Sequence, residues 1–414
     1  MSGAPAAAAQ AQPTRNPFLA PGFTRWWLAS LIAGTGVGIQ SVTVPLFVRD
    51  RVELDARALA IASALIATTL PAALLALVGG AVADRVERRR ILVRSYGAAA
   101  LVSVVYVALC LADVRAIWPV FPLAAIVGSA GAFTNPARSS LLPQLVTRAQ
   151  LQNGVILGTM GFMAALQFAG PSVAGLAVDA SGLASAFALE VALLALAAAT
   201  FSGLRTGPVE ASGRRVRDDL RDGLRYAAGH PALRSLLLLS LVPGVFFIGP
   251  FAVTIALLVP DVFHASDKWV GLLWGCFGAG VFAGSLALTW RPLPRRGLAV
   301  CLSNVLGGAI LVAYGSSNAL ALSAVVLFVW GANASVFMNY VVTLLQEHTE
   351  PAMMGRVMSM YSLAFFLSMP IGYGQAGLIT RWFGPTTTLL VAGAAALAIG
   401  LATLLFARTL RRLA

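Results

Sequence analysis

Along the chain, apolar runs about twenty residues long alternate with short clusters of charge, the spacing expected of helices that cross a hydrocarbon core roughly 30 Å thick. Reading each run against its charged punctuation predicts spans near 26–48, 58–83, 91–112, 116–134, 151–178, 183–203, 233–259, 269–289, 298–314, 319–338, 356–380 and 384–407. The expected fold class is an all-α membrane protein with twelve transmembrane helices. The longest polar break, from Arg205 to Arg234, divides them six and six. The chain then reads as a disordered cytoplasmic tail over 1–24, a six-helix bundle over 25–204, a linker over 205–232, a second six-helix bundle over 233–408 and a tail over 409–414. Inside the linker, Val216, Leu220, Leu224 and Ala227 share one helical face while Arg217, Asp218, Arg221, Asp222 and Arg225 take the other. That pattern predicts a short amphipathic helix on the membrane surface, and a solvated tether fits the same composition.

Composition narrows the function. With 58% hydrophobic and only 11% charged residues among 414, the chain has too little polar surface to cover a soluble fold. Of its 29 basic residues, 23 fall in segments that share a side with the N-terminus. The excess of positive charge on cytoplasmic loops places both termini in the cytoplasm and the protein as a multi-pass component of the cell membrane. The net charge of +13 belongs to this asymmetry and suits anionic lipid headgroups, so no nucleic-acid partner is expected. Cys110, Cys276 and Cys301 sit inside apolar runs and read as packing residues. His230, His264 and His348 fall in loops without metal-ligand spacing, and no phosphate-binding loop is present. Neither a metal, a cofactor nor a catalytic residue is expected, and the chain does not read as an enzyme. Met1 to Pro17 is rich in Ala and Pro and lacks the apolar core of a signal peptide, which leaves targeting to the first span.

The two halves look like copies. Ala174-Gly175-Leu176 followed by Gly182 recurs as Ala376-Gly377-Leu378 followed by Gly384. Parallel repeats that hold a substrate at their interface, near the bilayer midplane, are one recurring plan of secondary transporters.

Between spans two and three the sequence runs Gly79-Gly80-Ala81-Val82-Ala83-Asp84-Arg85-Val86-Glu87-Arg88-Arg89-Arg90. Gly80 would let two helices approach closely, and Asp84 could accept from a neighbouring helix N-terminus. The run resembles the signature of the major facilitator superfamily, in which a Gly is followed by an acidic residue, a basic residue, a second Gly and a basic pair. Gly80, Asp84, Arg85, Arg89 and Arg90 match it, whereas Glu87 stands at the second Gly. The resemblance implies a latch that closes the inner side in the outward-facing state. The corresponding loop of the second half, Trp290 to Arg296, keeps basic residues but has no Asp.

Gly161 and, further on, Gly170-Pro171-Ser172-Val173-Ala174-Gly175 resemble the antiporter signature of exporters in that superfamily, with Ala174 in place of one Gly. Close packing and the bend imposed by Pro171 account for the same residues without any bearing on direction. Asn135 to Val146, Leu151-Gln152-Asn153, Gly223 to Tyr226, His230-Pro231 and Arg356 to Tyr361 make the chain similar to the enterobactin-exporter-like branch, which exports drugs, siderophores and other amphiphiles. This implies two pseudo-symmetric six-helix bundles that export an amphiphilic small molecule by alternating access and draw on a proton gradient, and a monomer is expected. An importer or lipid flippase of the same fold is the nearer alternative, a non-transporting scaffold or an intramembrane enzyme the more distant one. Asn135-Pro136 by itself predicts a break that ends span four, and Arg138 is placed to pair with Asp84 or with a lipid phosphate.

Among 16 acidic residues, Glu190 is the one well inside a predicted span. A carboxylate at helix centre costs roughly 2.5–3.5 kcal/mol on insertion scales, so Glu190 either carries a coupling proton, lies neutral and hydrogen-bonded between helices, or turns toward the interface. Spans one, four, seven and ten line the central path in the superfamily that this chain resembles. Gln40, Ser41 and Thr43 in span one and Asn333 and Asn339 in span ten are the polar candidates, with Phe247, Phe251 and Trp274 as an aromatic wall. Few polar anchors in an apolar wall suit an amphiphilic organic substrate, while helix packing explains each residue singly just as well.

Overall fold

A computed structural model describes residues 16–20, 22–83, 86–204, 225–351, 353–411 and 413. Its long helices are α1 (Phe23–Arg49), α2 (Arg57–Ala83), α3 (Arg88–Leu111), α4 (Val120–Leu141), α5 (Arg148–Ala164) and α6 (Gly170–Ser202) in the first half of the chain. The second half supplies α7 (Pro231–Leu239), α8 (Gly249–Asp261), α9 (Lys268–Trp290), α10 (Arg296–Gly315), α11 (Leu320–Glu347) and α12 (Met354–Phe406). Among the described residues, ten helices are long and apolar enough to cross a membrane. The linker helix expected around 216–227 falls mostly on residues 205–224, which lie outside the described residues.

Two of the ten are far longer than a bilayer needs. Arg148–Ser202 has 55 residues and Met354–Phe406 has 53. As straight rods each would measure about 80 Å against a core of about 30 Å. Both are interrupted at a left-handed glycine, Gly182 with φ +80° and Gly384 with φ +83°. The chain doubles back there: the Ser185 hydroxyl donates to the Ala177 carbonyl at 3.0 Å, and the Thr380 and Thr388 hydroxyls meet at 2.7 Å. In a continuous helix residues eight apart are about 12 Å apart along the axis. We call the stretches before and after each glycine the leading and trailing limbs of α6 and α12. The repeat noticed in the sequence therefore ends, in both halves, at the same backbone event.

Two helices outrun the sequence expectation. α4 was expected to stop at Asn135-Pro136 and instead carries Pro136 inside, continuing to Leu141. Its buried face, Ala124, Gly128 and Ala132, resumes beyond the proline as Ala137, Arg138 and Leu141, so packing outweighs the local break. The Ser140 hydroxyl donates to the Pro136 carbonyl at 2.7 Å. α11 runs past 338 to Glu347 because Val341, Leu344 and Leu345 are buried, although Asn339 and Thr343 interrupt the apolar run.

Two π turns, Ala165–Ala169 and Pro243–Ile248, lead into Gly170-Pro171 and Gly249-Pro250. A proline has no N–H, so the turn before it loses a donor and the helix widens. In the second half the Val245 carbonyl is bonded by the Gln375 amide of α12. In the first half the Leu166 carbonyl faces Gly38 of α1, where an added Cβ would lie 2.4 Å from it. The halves meet along two seams, α2 against the leading limb of α12 and α9 against the leading limb of α6. Every residue from Val42 to Arg49 in α1 and from Gly249 to Val259 in α8 is buried, so these two stretches form the centre of the molecule at the end that carries Arg49.

Candidate functional site

Glu190 lies on the trailing limb of α6, fully buried. The Ser103 hydroxyl of α3 donates to its Oε1 at 2.8 Å, and the Gln40 amide of α1 lies beside the same carboxyl group. One carboxyl thus ties three helices together. Its Oε2 has no hydrogen-bond partner, and neither has the buried hydroxyl of Tyr106, one turn along α3 from Ser103. Tyr106 stacks on Phe187, which precedes Glu190 by one turn, with centroids 4.7 Å apart and planes at 8°. Phe47 of α1 closes the group edge-on at 5.3 Å from Tyr106. Gln40 is half-buried where Ser103 and Glu190 are fully buried, so it is the member of the group nearest to open space.

The aromatic candidates gather in the second half. Phe251 of α8 is the hub, with ring centroids 4.6 Å from Trp274 of α9, 5.3 Å from Trp330 of α11 and 6.0 Å from Tyr314 of α10. Phe247 meets Trp330 edge-on at 6.0 Å. The Trp274 N–H and the Tyr314 hydroxyl are buried with no hydrogen-bond partner. Buried indole and phenol groups usually find an acceptor, so this cluster presents two unused donors inside an apolar box. Asn333 points its amide to the Ser303 carbonyl of α10 at 2.8 Å, which joins α11 to α10 beside the box.

The remaining candidates are scattered. Thr43 is buried and bonds its own helix at Ile39, and Ser41 does the same at Gly38. Asn339 is exposed and bridges to Ser285 of α9 at 3.0 Å. Gly161 faces Trp27 and Leu31 of α1, and Gly170 meets Gly38, while Gly175 faces Lys268 and Gly271 of α9. The antiporter-like segment with Pro171 therefore packs on α1 with one part and on the other half of the molecule with another. An added Cβ at Gly175 would lie 2.4 Å from the Lys268 carbonyl, so the approach depends on glycine.

Of the latch residues, Gly80 falls in α2, and Asp84 and Arg85 lie outside the described residues. Glu87, the departure from the signature, pairs with Arg89 at 2.8 Å and with Arg90 at 2.6 Å. Arg89 also donates to the Ser202 carbonyl at 3.1 Å, which ties the loop to the end of α6 within the same half. Arg138 is buried with its guanidinium 3.8 Å over the Phe162 ring. No cluster of three metal-ligating side chains occurs among the described residues.

Sequence reasoning missed Ser103, Tyr106, Trp330, Tyr314, Arg49 and Asp267. Ser103 and Tyr106 share a helix face at a spacing of three, and Trp330 precedes Asn333 by one turn, so a face-by-face reading could have found both. Arg49 directly follows the apolar run of the first span, where a cation gives no pairing signal of its own.

The backbone arrangement is one of bundled apolar helices in two halves that meet along two seams. Among solved structures, the peptide transporter POT in complex with sulfate superposes with a TM-score of 0.74 over 95% of each chain, at 14% identity. The family model described as transmembrane secretion effector matches residues 13–412, and the chain belongs to this family of the major facilitator superfamily. It is a transporter and not an enzyme. It is 28% identical over 411 residues to the multidrug efflux pump Tap of Mycolicibacterium fortuitum, covering 92% of this chain and 94% of that one. To the protein of the same name from Mycobacterium tuberculosis it is 27% identical over 380 residues, covering 87% and 88%.

Proposed function

We propose that the protein exports amphiphilic small molecules, drugs in the broad sense, across the cytoplasmic membrane by alternating access between its two halves. The observation that carries this reading is the likeness, over nearly the whole chain, to relatives named as multidrug efflux pumps. In this reading the turns at Gly182 and Gly384 each divide a long helix into two crossings, which gives twelve in two six-helix bundles. The distribution of basic residues puts the Arg49 end outside and both termini in the cytoplasm.

In this reading the substrate occupies the space between the halves near the aromatic box. Phe247, Phe251, Trp274 and Trp330 offer apolar rings, and the unused Trp274 N–H offers one donor to a carbonyl or ether oxygen. Such a surface selects for lipophilicity and one acceptor and so admits many shapes. The driving force is proton antiport, with Glu190 as the group that carries the proton. A carboxyl held by the Ser103 hydroxyl and the Gln40 amide, with Oε2 free, can take up a proton without leaving a new partner unpaired. Gln40 connects it toward the space between the halves. No cofactor takes part, and the working unit is a monomer surrounded by lipid.

The test is reconstitution in liposomes and the movement of a panel of lipophilic dyes, macrolides and siderophores under an imposed pH gradient. Gradient-dependent flux of the lipophilic members, about tenfold lower in Glu190→Gln, is the expected result. Flux that ignores the gradient, or full activity in Glu190→Gln, removes Glu190 from the coupling path.

A further inference from the structure

We infer that Arg49 and Asp267 form a separable gate that holds the two halves together at the Arg49 end. Arg49 closes α1, in the first half, and Asp267 precedes α9, in the second. Nη1 and Nη2 of Arg49 donate to Oδ1 and Oδ2 of Asp267 at 2.6 and 2.8 Å, a two-pronged bond that fixes both position and plane. Nη1 also donates to the Ala256 carbonyl of α8 at 3.2 Å, and Nε to Asp50 at 2.8 Å. One guanidinium thus spans three segments of the molecule. A weaker link beside it, Lys268 to Asp179 at 3.4 Å, joins the same two halves.

Three observations separate a gate from a structural strut. Arg49 is only 8% exposed while the Asp267 side chain keeps 28%, so the guanidinium has given up most of its hydration and the carboxylate part of it. Their mutual attraction roughly offsets that cost, and such pairs contribute little net stability to a fold. At a surface that opens, water returns to both groups, and the closed and open arrangements come close to balance. Second, Asp267 stands at the N-cap of α9 without a side-chain capping bond, so its carboxylate is committed to Arg49 and not to its own helix. Third, the pair sits over the all-round buried stretches of α1 and α8, which would line a vestibule once the halves part there.

The inference rests on the alternating-access reading, and its test reads accessibility and not flux. In the full chain carrying Ala256→Cys, labelling by a membrane-impermeant maleimide is followed from each face of sealed vesicles, with the same chain lacking that cysteine as the blank. The gate predicts slow labelling when Arg49 and Asp267 are intact and at least a threefold faster rate in Asp267→Asn. Arg49→Lys, which keeps the charge but loses the fork, gives a smaller rise, and the exchange Arg49→Asp with Asp267→Arg brings the rate back toward the parent. Unchanged labelling in both single variants, at parent levels of membrane insertion, overturns the gate. If Asp267→Asn fails to accumulate, Arg49→Lys decides by the same readout. Faster labelling in a protein that moves no dye keeps the gate and rejects the pump, whereas unchanged labelling beside active flux does the reverse.

Discussion

The trailing limbs of α6 and α12 begin at glycines with the same left-handed turn and each packs on the third long crossing of its own half, α3 and α10, yet these contacts are made by opposite means. In the first half a carboxyl group, Glu190, reaches Ser103 of α3 at 2.8 Å. In the second half Ala392 stands at the position that follows the turn by the same interval, and the neighbouring Gly393 lets the backbones close up on Gly308 of α10. An added Cβ at Gly308 would lie 2.5 Å from the Leu397 nitrogen. Small residues packed backbone to backbone are the inexpensive way to join helices in lipid, and a buried carboxyl is the costly one. The second half thus closes the equivalent contact without a carboxyl, and the proposed proton-carrying role of Glu190 rests on this asymmetry. The aromatic box shows the converse bias, since its hub and all its partners lie in the second half.

That contrast can be broken most forcefully by moving the charge. Ala392→Glu places a carboxyl at a buried position that the second half packs with small residues, and a loss of about 2.5–3.5 kcal/mol is expected, read as a lower midpoint of thermal unfolding in detergent. Next, Gly308→Val should cost about 1–3 kcal/mol in the same assay, since the new side chain meets backbone and not a flexible tip. Ser103→Ala removes the hydroxyl that donates to Oε1 and should cost about 1 kcal/mol, with a stability loss smaller than that of Gly308→Val. Glu190→Gln keeps an acceptor for Ser103 and should change stability little, while gradient-driven dye flux falls about tenfold, the equivalent of about 1.4 kcal/mol in the coupled step. Smallest of all, Trp274→Phe retains the ring against Phe251 and loses only the N–H, so the half-saturating concentration of an acceptor-bearing dye should rise about threefold at unchanged maximal rate.

Run length and charge punctuation made the helices legible, because the bilayer fixes the number of apolar residues that a crossing requires. They failed at α4 and α11, where buried residues on one face carried the helix through Pro136 and past Asn339. Glu190 was legible as an isolated carboxyl in an apolar run. Its partners were not, since Ser103 and Gln40 become neighbours only when α1, α3 and α6 assemble. Phe247, Phe251 and Trp274 were proposed as a wall and are found together, but Trp330 and Tyr314, which complete it, come from spans whose contacts the one-dimensional pattern does not specify. Arg49 carried the least signal of all, because a cation at a span end has an ordinary explanation.

The glycine turns have a consequence for anyone mapping this protein by mutation. Nothing lies within 4 Å of a side chain added at Gly182 or Gly384, so both positions look permissive by every measure of crowding. Their backbone angles, however, are ones that side-chain-bearing residues rarely adopt, and the chain must reverse there within one residue. A saturation scan will therefore record two intolerant sites with no neighbours, the profile usually read as a docking surface, where the real constraint is the handedness of a corner.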